Sequence, residues 1–345
     1  MIRLRRELAA ALGGDDRDAT VTALQRALQL EHSTIPPYLY ALYSLVPGTN
    51  TEVARTIRSV VVEEMLHMAL VSNVLLALGA APVLDRPEVV PRYPGPLPGS
   101  IGGGLVVGLA PCSLALIENV FMKIEEPETP LVFEELAAAE EITIGQFYAA
   151  ITDSLTALGE GAFVGTPSRQ LGPDVLPGAV VVTDMESART ALKTIVEQGE
   201  GTTTAPLEVV GSDVAHYYRF SEIVHGHRLV PNPDAAPDDP PDRQFRYAGD
   251  PVPFDPQGVS PVPVDPTLAG YPAGSAAFAA CRTFNYTYTT LLAVLHATLG
   301  GDPDRYDAAI GLMMSLEQQA KDMTTGVVTG GEAAGPTFEF QRFNG

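Results

Sequence analysis

Ionisable side chains interrupt the apolar faces of three helices that the sequence predicts, and no other feature constrains the fold as strongly. Glu31 lies between Leu28 and Ile35, in a stripe where a leucine would be expected. Two further stripes each contain a carboxylate and, three positions later, a histidine, so that both side chains share one buried face. These pairs are Glu64 with His67 and Asp213 with His216. Because an unpaired buried carboxylate is costly or becomes protonated, each of these groups needs a partner.

A metal centre is the partner that this pattern favours. Several carboxylates and two imidazoles in one dry place repel one another unless a multivalent cation compensates their charge. Four-helix bundles that hold two iron or manganese ions use Glu from two helices and Glu-x-x-His from the other two. We therefore predict one or two ions of iron, with manganese as the alternative, held by Glu31, Glu64, His67, Asp213 and His216. The competing hypothesis is a buried salt-bridge network without a metal.

The fourth helix of such a bundle has no unambiguous carboxylate. Glu140 shares a face with apolar neighbours, and Gln146 is a second inward candidate, although an amide is a poor substitute for a bridging carboxylate. Glu197, at the end of the next helix, is a third. Helical periodicity does not distinguish among Glu140, Gln146 and Glu197 as the ligand from this part of the chain. It also predicts that Glu63 points away from the buried face and that Glu222 is solvated.

Helical periodicity covers most of the chain, so the predicted fold class is all-α with a four-helix bundle as its core and long loops rich in proline and glycine. Pro36 and Pro37 must kink or divide the first long helix. Twelve prolines between Pro231 and Pro272 indicate a linker or an ordered wrap. The predicted units are a metal-binding bundle at 1–230, the proline-rich segment at 231–273 and a helical extension at 274–345. The predicted helices are 20–45, 50–79, 113–123, 130–158, 183–198, 212–225, 275–299 and 302–324.

Charge and composition limit the partners. With 21 Lys and Arg against 42 Asp and Glu, the 345-residue chain has a net charge of −21, which argues against binding to nucleic acid or anionic membranes and favours a small-molecule substrate. No run approaches the roughly 20 apolar residues of a membrane span. The two cysteines, Cys112 and Cys281, form no CxxC motif, which fits a reducing cytoplasmic location. The sequence is compatible with a homo-oligomer but does not give the oligomeric state.

Six short motifs along the chain resemble a known family. They are LEHSTIPPYL (30–39), EEMLHM (63–68), TIGQFY (143–148), EQGEG (197–201), AHYYRFSE (215–222) and AGPTFEF (334–340). Together they are similar to the ferritin-like domain of the iminophenyl-pyruvate dimer synthases, enzymes of the violacein and rebeccamycin type of bisindole pathway in natural-product biosynthesis. The resemblance covers almost the whole chain and implies a ferritin-like bundle in which Glu31, Glu64, His67, Asp213 and His216 match the metal-ligand positions.

The resemblance also implies an activity. We expect an oxidoreductase that acts on an amino-acid-derived or related small intermediate with dioxygen or peroxide, with Tyr38 and Tyr217 lining the substrate pocket. The family usually has glutamate where Gln146 and Asp213 stand, which implies a weakly held second metal or a single metal. The alternatives are a manganese peroxide dismutase and a metal-free binding or structural partner in a biosynthetic complex.

Overall fold

Long helices dominate the computed structural model, which describes residues 3–5, 14–98, 101–127, 141–199, 214–236, 241–331 and 333–342. The helices are α1 (Arg17–Ser44), α2 (Thr51–Ala77), α3 (Leu114–Leu116, a π-helical segment Ile117–Phe121, and Met122–Ile124), α4 (Ile144–Leu158), α5 (Met185–Gly199), α6 (His216–His225), α7 (Ala276–Leu299) and α8 (Tyr306–Thr324). A single helical turn is formed by Pro241–Gln244. The prediction of a mainly helical chain with additional C-terminal helices is confirmed.

Three two-stranded antiparallel sheets connect or flank the helices. The strands are β1 (Arg3–Arg5), β2 (Gly95–Leu97), β3 (Ile101–Val107), β4 (Glu141–Thr143), β5 (His227–Pro231) and β6 (Phe245–Pro251). They pair as β1 with β4, β2 with β3, and β5 with β6. Of the helix predicted at 130–158, residues 144–158 form α4 and residues 141–143 form the strand β4, and residues 128–140 lie outside the described part.

The helix α1 remains one helix through Pro36 and Pro37. Proline lacks the N–H that would donate to the carbonyl four residues earlier. For Pro37 that carbonyl belongs to Ser33, and it accepts a hydrogen bond of 2.6 Å from the hydroxyl of Tyr93 instead. The loop after α2 thus satisfies a backbone group that the helix itself leaves unpaired, and the predicted division of this helix does not occur. The helix begins at Arg17, three residues before the predicted start at 20, and Asp16 caps it.

The helices α1 and α2 pack along each other and form the centre of the bundle. Among the described residues, α2 is the one helix long and apolar enough to cross a bilayer, with a mean hydropathy of 1.6 over its most apolar window. However, 83% of that window is buried inside the protein, which identifies α2 as a core helix. The helices α3 and α6 pack together and against this pair, and the rings of Tyr38, Phe121 and Phe220 contact one another edge-on or at a tilt.

The C-terminal helices and the proline-rich segment pack on α1 and α2. The pair α7 and α8 contacts both helices, and Arg58 of α2 forms a bidentate ion pair with Glu317 of α8 at 2.8 and 2.9 Å. Downstream of β6, Ser260 N donates to Ser44 O at 2.7 Å and Gly258 O accepts from Val46 N at 2.9 Å. These hydrogen bonds hold the proline-rich segment along the end of α1.

The Ser33 carbonyl provides a test of how α1 tolerates its prolines. We expect Tyr93→Phe to lower the free energy of unfolding by about 1 to 2 kcal/mol, because a part-buried carbonyl loses its donor. In a Pro37→Ala background the restored N–H replaces the tyrosine, so the same change should cost less. Urea denaturation of the four proteins measures both values, and equal costs in the two backgrounds would contradict this account.

The Arg58–Glu317 pair makes stability depend on pH. Hydrogen bonds from Arg58 lower the pKa of Glu317 from 4.5 to about 2. Because this pKa is depressed on folding, the pair stabilises the protein above pH 4.5, and the contribution is lost as pH falls towards 2. We expect Glu317→Gln to cost about 1 kcal/mol at pH 7, since solvent screens the pair. Urea denaturation at pH 7, 5 and 3 measures the difference in free energy of unfolding between the wild type and Glu317→Gln, which should be smaller only at pH 3. A difference that is the same at all three pH values would contradict this account.

Candidate metal centre

Five buried side chains from α1, α2, α3 and α6 converge in the interior. They are Glu31 of α1, Glu64 and His67 of α2, Glu125 directly after α3, and His216 at the start of α6. None is more than 6% exposed. They form two groups, Glu31–Glu64–His67 and Glu64–Glu125–His216, and within each group the donor atoms lie within 4.8 Å of one another. Glu64 belongs to both groups, so the arrangement provides two adjacent cation positions with one shared carboxylate.

Both histidines present the same ring nitrogen to the carboxylates. His67 Nδ1 lies 3.4 Å from Glu31 Oε2 and 3.7 Å from Glu64 Oε2. His216 Nδ1 lies 3.1 Å from Glu64 Oε1 and 3.4 Å from Glu125 Oε2. The two rings stack with their centroids 5.5 Å apart. The spacing of three places Glu64 and His67 on the inward face of α2. Asp213, the predicted companion of His216, lies outside the described residues.

The opposite nitrogen of each histidine is held by an acceptor. His67 Nε2 donates to Gln198 Oε1 at 3.0 Å, and His216 Nε2 donates to Glu63 Oε2 at 2.9 Å. Glu63 also accepts from Arg219 Nη2 at 2.9 and 3.0 Å. Such partners fix the tautomer of a metal-binding histidine and leave the other nitrogen free for the metal. The prediction that Glu63 points away from this region is wrong, because its long side chain reaches His216 from the edge of α2.

Two tyrosines orient the outer carboxylates. Tyr148 donates to Glu31 Oε1 at 2.5 Å, and Tyr38 donates to Glu125 Oε1 at 2.5 Å. In each carboxylate the second oxygen faces a histidine. Tyr38 was predicted to contact substrate; its ring is fully buried and its hydroxyl holds Glu125, and a contact with substrate stays a prediction.

The residues present fit a cation. Glu64 Oε2 and His216 Nδ1 are buried and have no hydrogen-bond partner among the described residues. Native proteins rarely leave such atoms unsatisfied, and a bound cation would accept electron pairs from both. A cavity of about 30 Å³ lies against Glu31, Glu64, His67 and Glu125, which is room for an ion or a water molecule. Carboxylate and imidazole donors suit iron and manganese.

Without a cation, the charge of the cluster is balanced through the protonation states of its carboxyl groups and imidazoles. Burial raises the pKa of Glu31 to about 7, and burial together with the charge of Glu64 raises the pKa of Glu125. Burial opposes ionisation of Glu64, but the adjacent imidazoles of His216 and His67 outweigh burial and lower the pKa of this carboxyl group. Burial also disfavours the charged form of His67, yet the neighbouring carboxylates of Glu31 and Glu64 raise its pKa to about 10. Protons thus neutralise part of the charge, and a metal must displace them.

The remaining predicted ligands are placed differently. Asp213 and Glu140 lie outside the described residues. Gln146 lies in the first turn of α4 and is partly buried, and Glu197 forms an ion pair of 3.3 Å with Lys193. Tyr217 is half-buried against the ring of Tyr218. Roles for these residues stay predictions.

Glu125 is the carboxylate that the sequence analysis missed. It comes from α3, not from the predicted fourth helix, and it extends the stripe of Ile117 and Phe121 at intervals of four. That spacing was a signal that could have identified it. The prediction that Glu222 is solvated is also wrong, because its buried carboxylate accepts from Arg228 at 2.6 Å and from the Leu229 N–H at 2.8 Å.

Comparisons with known proteins agree with this geometry. The model of the ferritin-like family matches residues 24–225, more than half of the chain, and the chain therefore belongs to the ferritin-like family. Members of this family often hold two metal ions, commonly iron or manganese. The crystal structure of a ferritin-like protein from Caulobacter vibrioides is similar at 25% identity and a TM-score of 0.60, covering 92% of this chain and 98% of that one. No curated protein matches the sequence.

The acceptor behind His216 provides a test of the centre. We expect Glu63→Gln to weaken metal binding by about 10-fold or more, because loss of this carboxylate makes the His216 nitrogen a poorer donor. Glu52→Gln is the matched control, since Glu52 lies on the same helix, outside the cluster. Competition with a chelator of known affinity measures both, and equal affinities in the two variants would refute the role of Glu63.

Proposed function

We propose that this protein is a non-haem metal oxidoreductase that holds two iron ions, with manganese as the alternative metal. It acts on a small amino-acid-derived or related biosynthetic intermediate with dioxygen or peroxide. The observation that carries the proposal is the pair of donor groups that share Glu64. In a purely structural salt-bridge network these buried groups would hydrogen-bond to one another, whereas Glu64 Oε2 and His216 Nδ1 have no hydrogen-bond partner among the described residues although opposite groups lie 3.1 to 3.7 Å away.

Charge balance supports two ions. Glu31, Glu64 and Glu125 contribute three negative charges when ionised, and the negative charge of Glu63 is matched by Arg219. Two divalent cations exceed the charge of these three carboxylates, which leaves room for an anionic fourth carboxylate, hydroxide or reactant. One divalent cation would leave one of the three carboxylates uncompensated or protonated.

The chain's own residues hold the metal ligands in place and leave coordination positions open for reactants. Each donor group supplies three protein ligands, so each ion would retain open coordination positions. When bound, the two ions supply the electrons for reduction of dioxygen or peroxide. Tyr38 and Tyr148 hold the outer carboxylates in place, and apolar side chains such as Leu30, Ile124 and Ile195 limit water around them.

The charge and the cysteines of the chain bear on its partner and its location. A chain with a net charge of −21 fits a small-molecule partner. The two cysteines, Cys112 and Cys281, are free and buried, which is compatible with the reducing cytoplasm that we propose as its location.

Metal content is the first test. We expect elemental analysis after loading with ferrous iron to give about two ions per chain for the wild type, and less than one for Glu64→Gln, because this residue contributes to both groups of donors. Glu222→Gln is the matched control, because it also removes a buried carboxylate but lies outside the cluster. Equal metal content in the two variants, or none in the wild type, would overturn the proposal.

The reaction with oxygen separates the alternatives. Anaerobic ferrous protein mixed with oxygen should show an absorbance change that Glu64→Gln lacks. Rapid oxygen evolution from peroxide by the manganese form would identify a peroxide dismutase instead. A wild-type protein that retains no metal would leave a binding or structural role.

A further inference from the structure

A second cavity, separate from the metal centre, lies between the bundle and the C-terminal helices. Its volume is about 280 Å³, and it is bounded by α1, α2, α7 and α8. Its walls are apolar and include Leu39, Val61, Met68, Leu292, Leu295 and Met313. No member of the two described donor groups lines it. The cavity is roughly twice the ~150 Å³ that accommodates benzene in an engineered apolar site.

The shape of the cavity favours an elongated occupant. His32 and Tyr43 both line it, and eleven residues of α1 separate them, which corresponds to about 16 Å along the helix axis. Val62 and Met314 also line the cavity, and they are 52% and 67% exposed. Large apolar side chains that are both exposed and part of a cavity wall mark an opening to solvent.

The polar groups of the cavity are few and define the chemistry of a ligand. His32 is 3% exposed, and its Nε2 forms a hydrogen bond of 2.9 Å with the hydroxyl of Tyr288. The other ring nitrogen, Nδ1, has no hydrogen-bond partner in the part of the chain that the structure describes. Because an unsatisfied buried nitrogen is costly, a ligand atom that bonds to it would be favoured.

The charged residues of the cavity are already paired. Both terminal nitrogens of the Arg58 guanidinium donate to the two oxygens of Glu317, and Lys321 Nζ lies 2.6 Å from the same carboxylate. Neither Arg58 nor Glu317 is therefore available as a counter-ion for a charged head group. A neutral ligand fits these walls better than a fatty acid or an amine.

We propose that this cavity binds an elongated, neutral, apolar alcohol whose single hydroxyl bonds to His32 Nδ1. A hydroxyl both donates and accepts, so it satisfies this nitrogen in either tautomer of the ring. The cavity shares no lining residue with the two donor groups, and binding can be measured in protein with and without metal.

A neutral fluorescent probe tests whether the cavity is a binding site. N-phenyl-1-naphthylamine should gain fluorescence with the full-length protein, and 1-octanol should displace it. Leu295→Trp, which fills the cavity, should abolish the gain. Ala279→Trp is the matched control, because Ala279 is an exposed residue of the same helix that does not line the cavity. Absence of binding to the wild type, or equal binding by both variants, would overturn the proposal.

The role of the hydroxyl is tested by comparing 1-octanol with octane as competitors. His32→Leu should weaken displacement by octanol about fivefold, the value of one neutral hydrogen bond, and leave octane unchanged. If the loss of the Tyr288 partner prevents folding, the double variant His32→Leu/Tyr288→Phe removes both polar groups together and serves instead. An equal effect on octanol and octane would show that His32 does not bind the hydroxyl.

Discussion

Burial of like charge is the constraint on which the rest of this structure depends. Three carboxylates and two imidazoles lie in a region where none is more than 6% exposed, and they come from positions between Glu31 and His216 in the sequence. Such a cluster is tolerable only if protons or cations neutralise it. The arrangement around it is consistent with cations, because Glu64 Oε2 and His216 Nδ1 have no hydrogen bond to any described residue. The helices therefore have to meet in one register for the donors to be shared.

A layer of further side chains determines that register. Gln198 and Glu63 each bind the outer nitrogen of a histidine, and Tyr38 and Tyr148 each bind one oxygen of an outer carboxylate. The ring of Tyr38 packs edge-on against Phe121 of α3, so the side chain that orients Glu125 is itself locked in the core. Ligand geometry and apolar packing are thus coupled, and a loss of core packing would disturb the donors as well.

Periodicity predicted much of this centre, and the residues that it missed have physical explanations. Glu31, Glu64, His67 and His216 all lie on the inward faces of helices, where a spacing of three or four is informative. Glu125 continues the spacing of four from Ile117 and Phe121, but it lies two residues beyond the predicted end of that helix at 123 and was therefore missed. Glu63 lies about 100° from Glu64 around α2, and only the structure shows that its side chain reaches His216.

The sequence also did not show which residue would compensate for the hydrogen bond that proline removes from α1. Pro37 leaves a carbonyl free inside α1, and its replacement donor, Tyr93, comes from a loop 60 residues away. The cavity between α1, α2, α7 and α8 likewise depends on how separate segments pack, which local patterns do not encode.

Anomalous diffraction from crystals of iron-loaded protein, collected at the iron absorption edge, addresses the central claim most directly. The account predicts two peaks in the interior, one bound by Glu31, Glu64 and His67 and the other by Glu64, Glu125 and His216. Crystals that contain iron but show peaks only elsewhere, or loaded crystals that show no peak in this cluster, would contradict it.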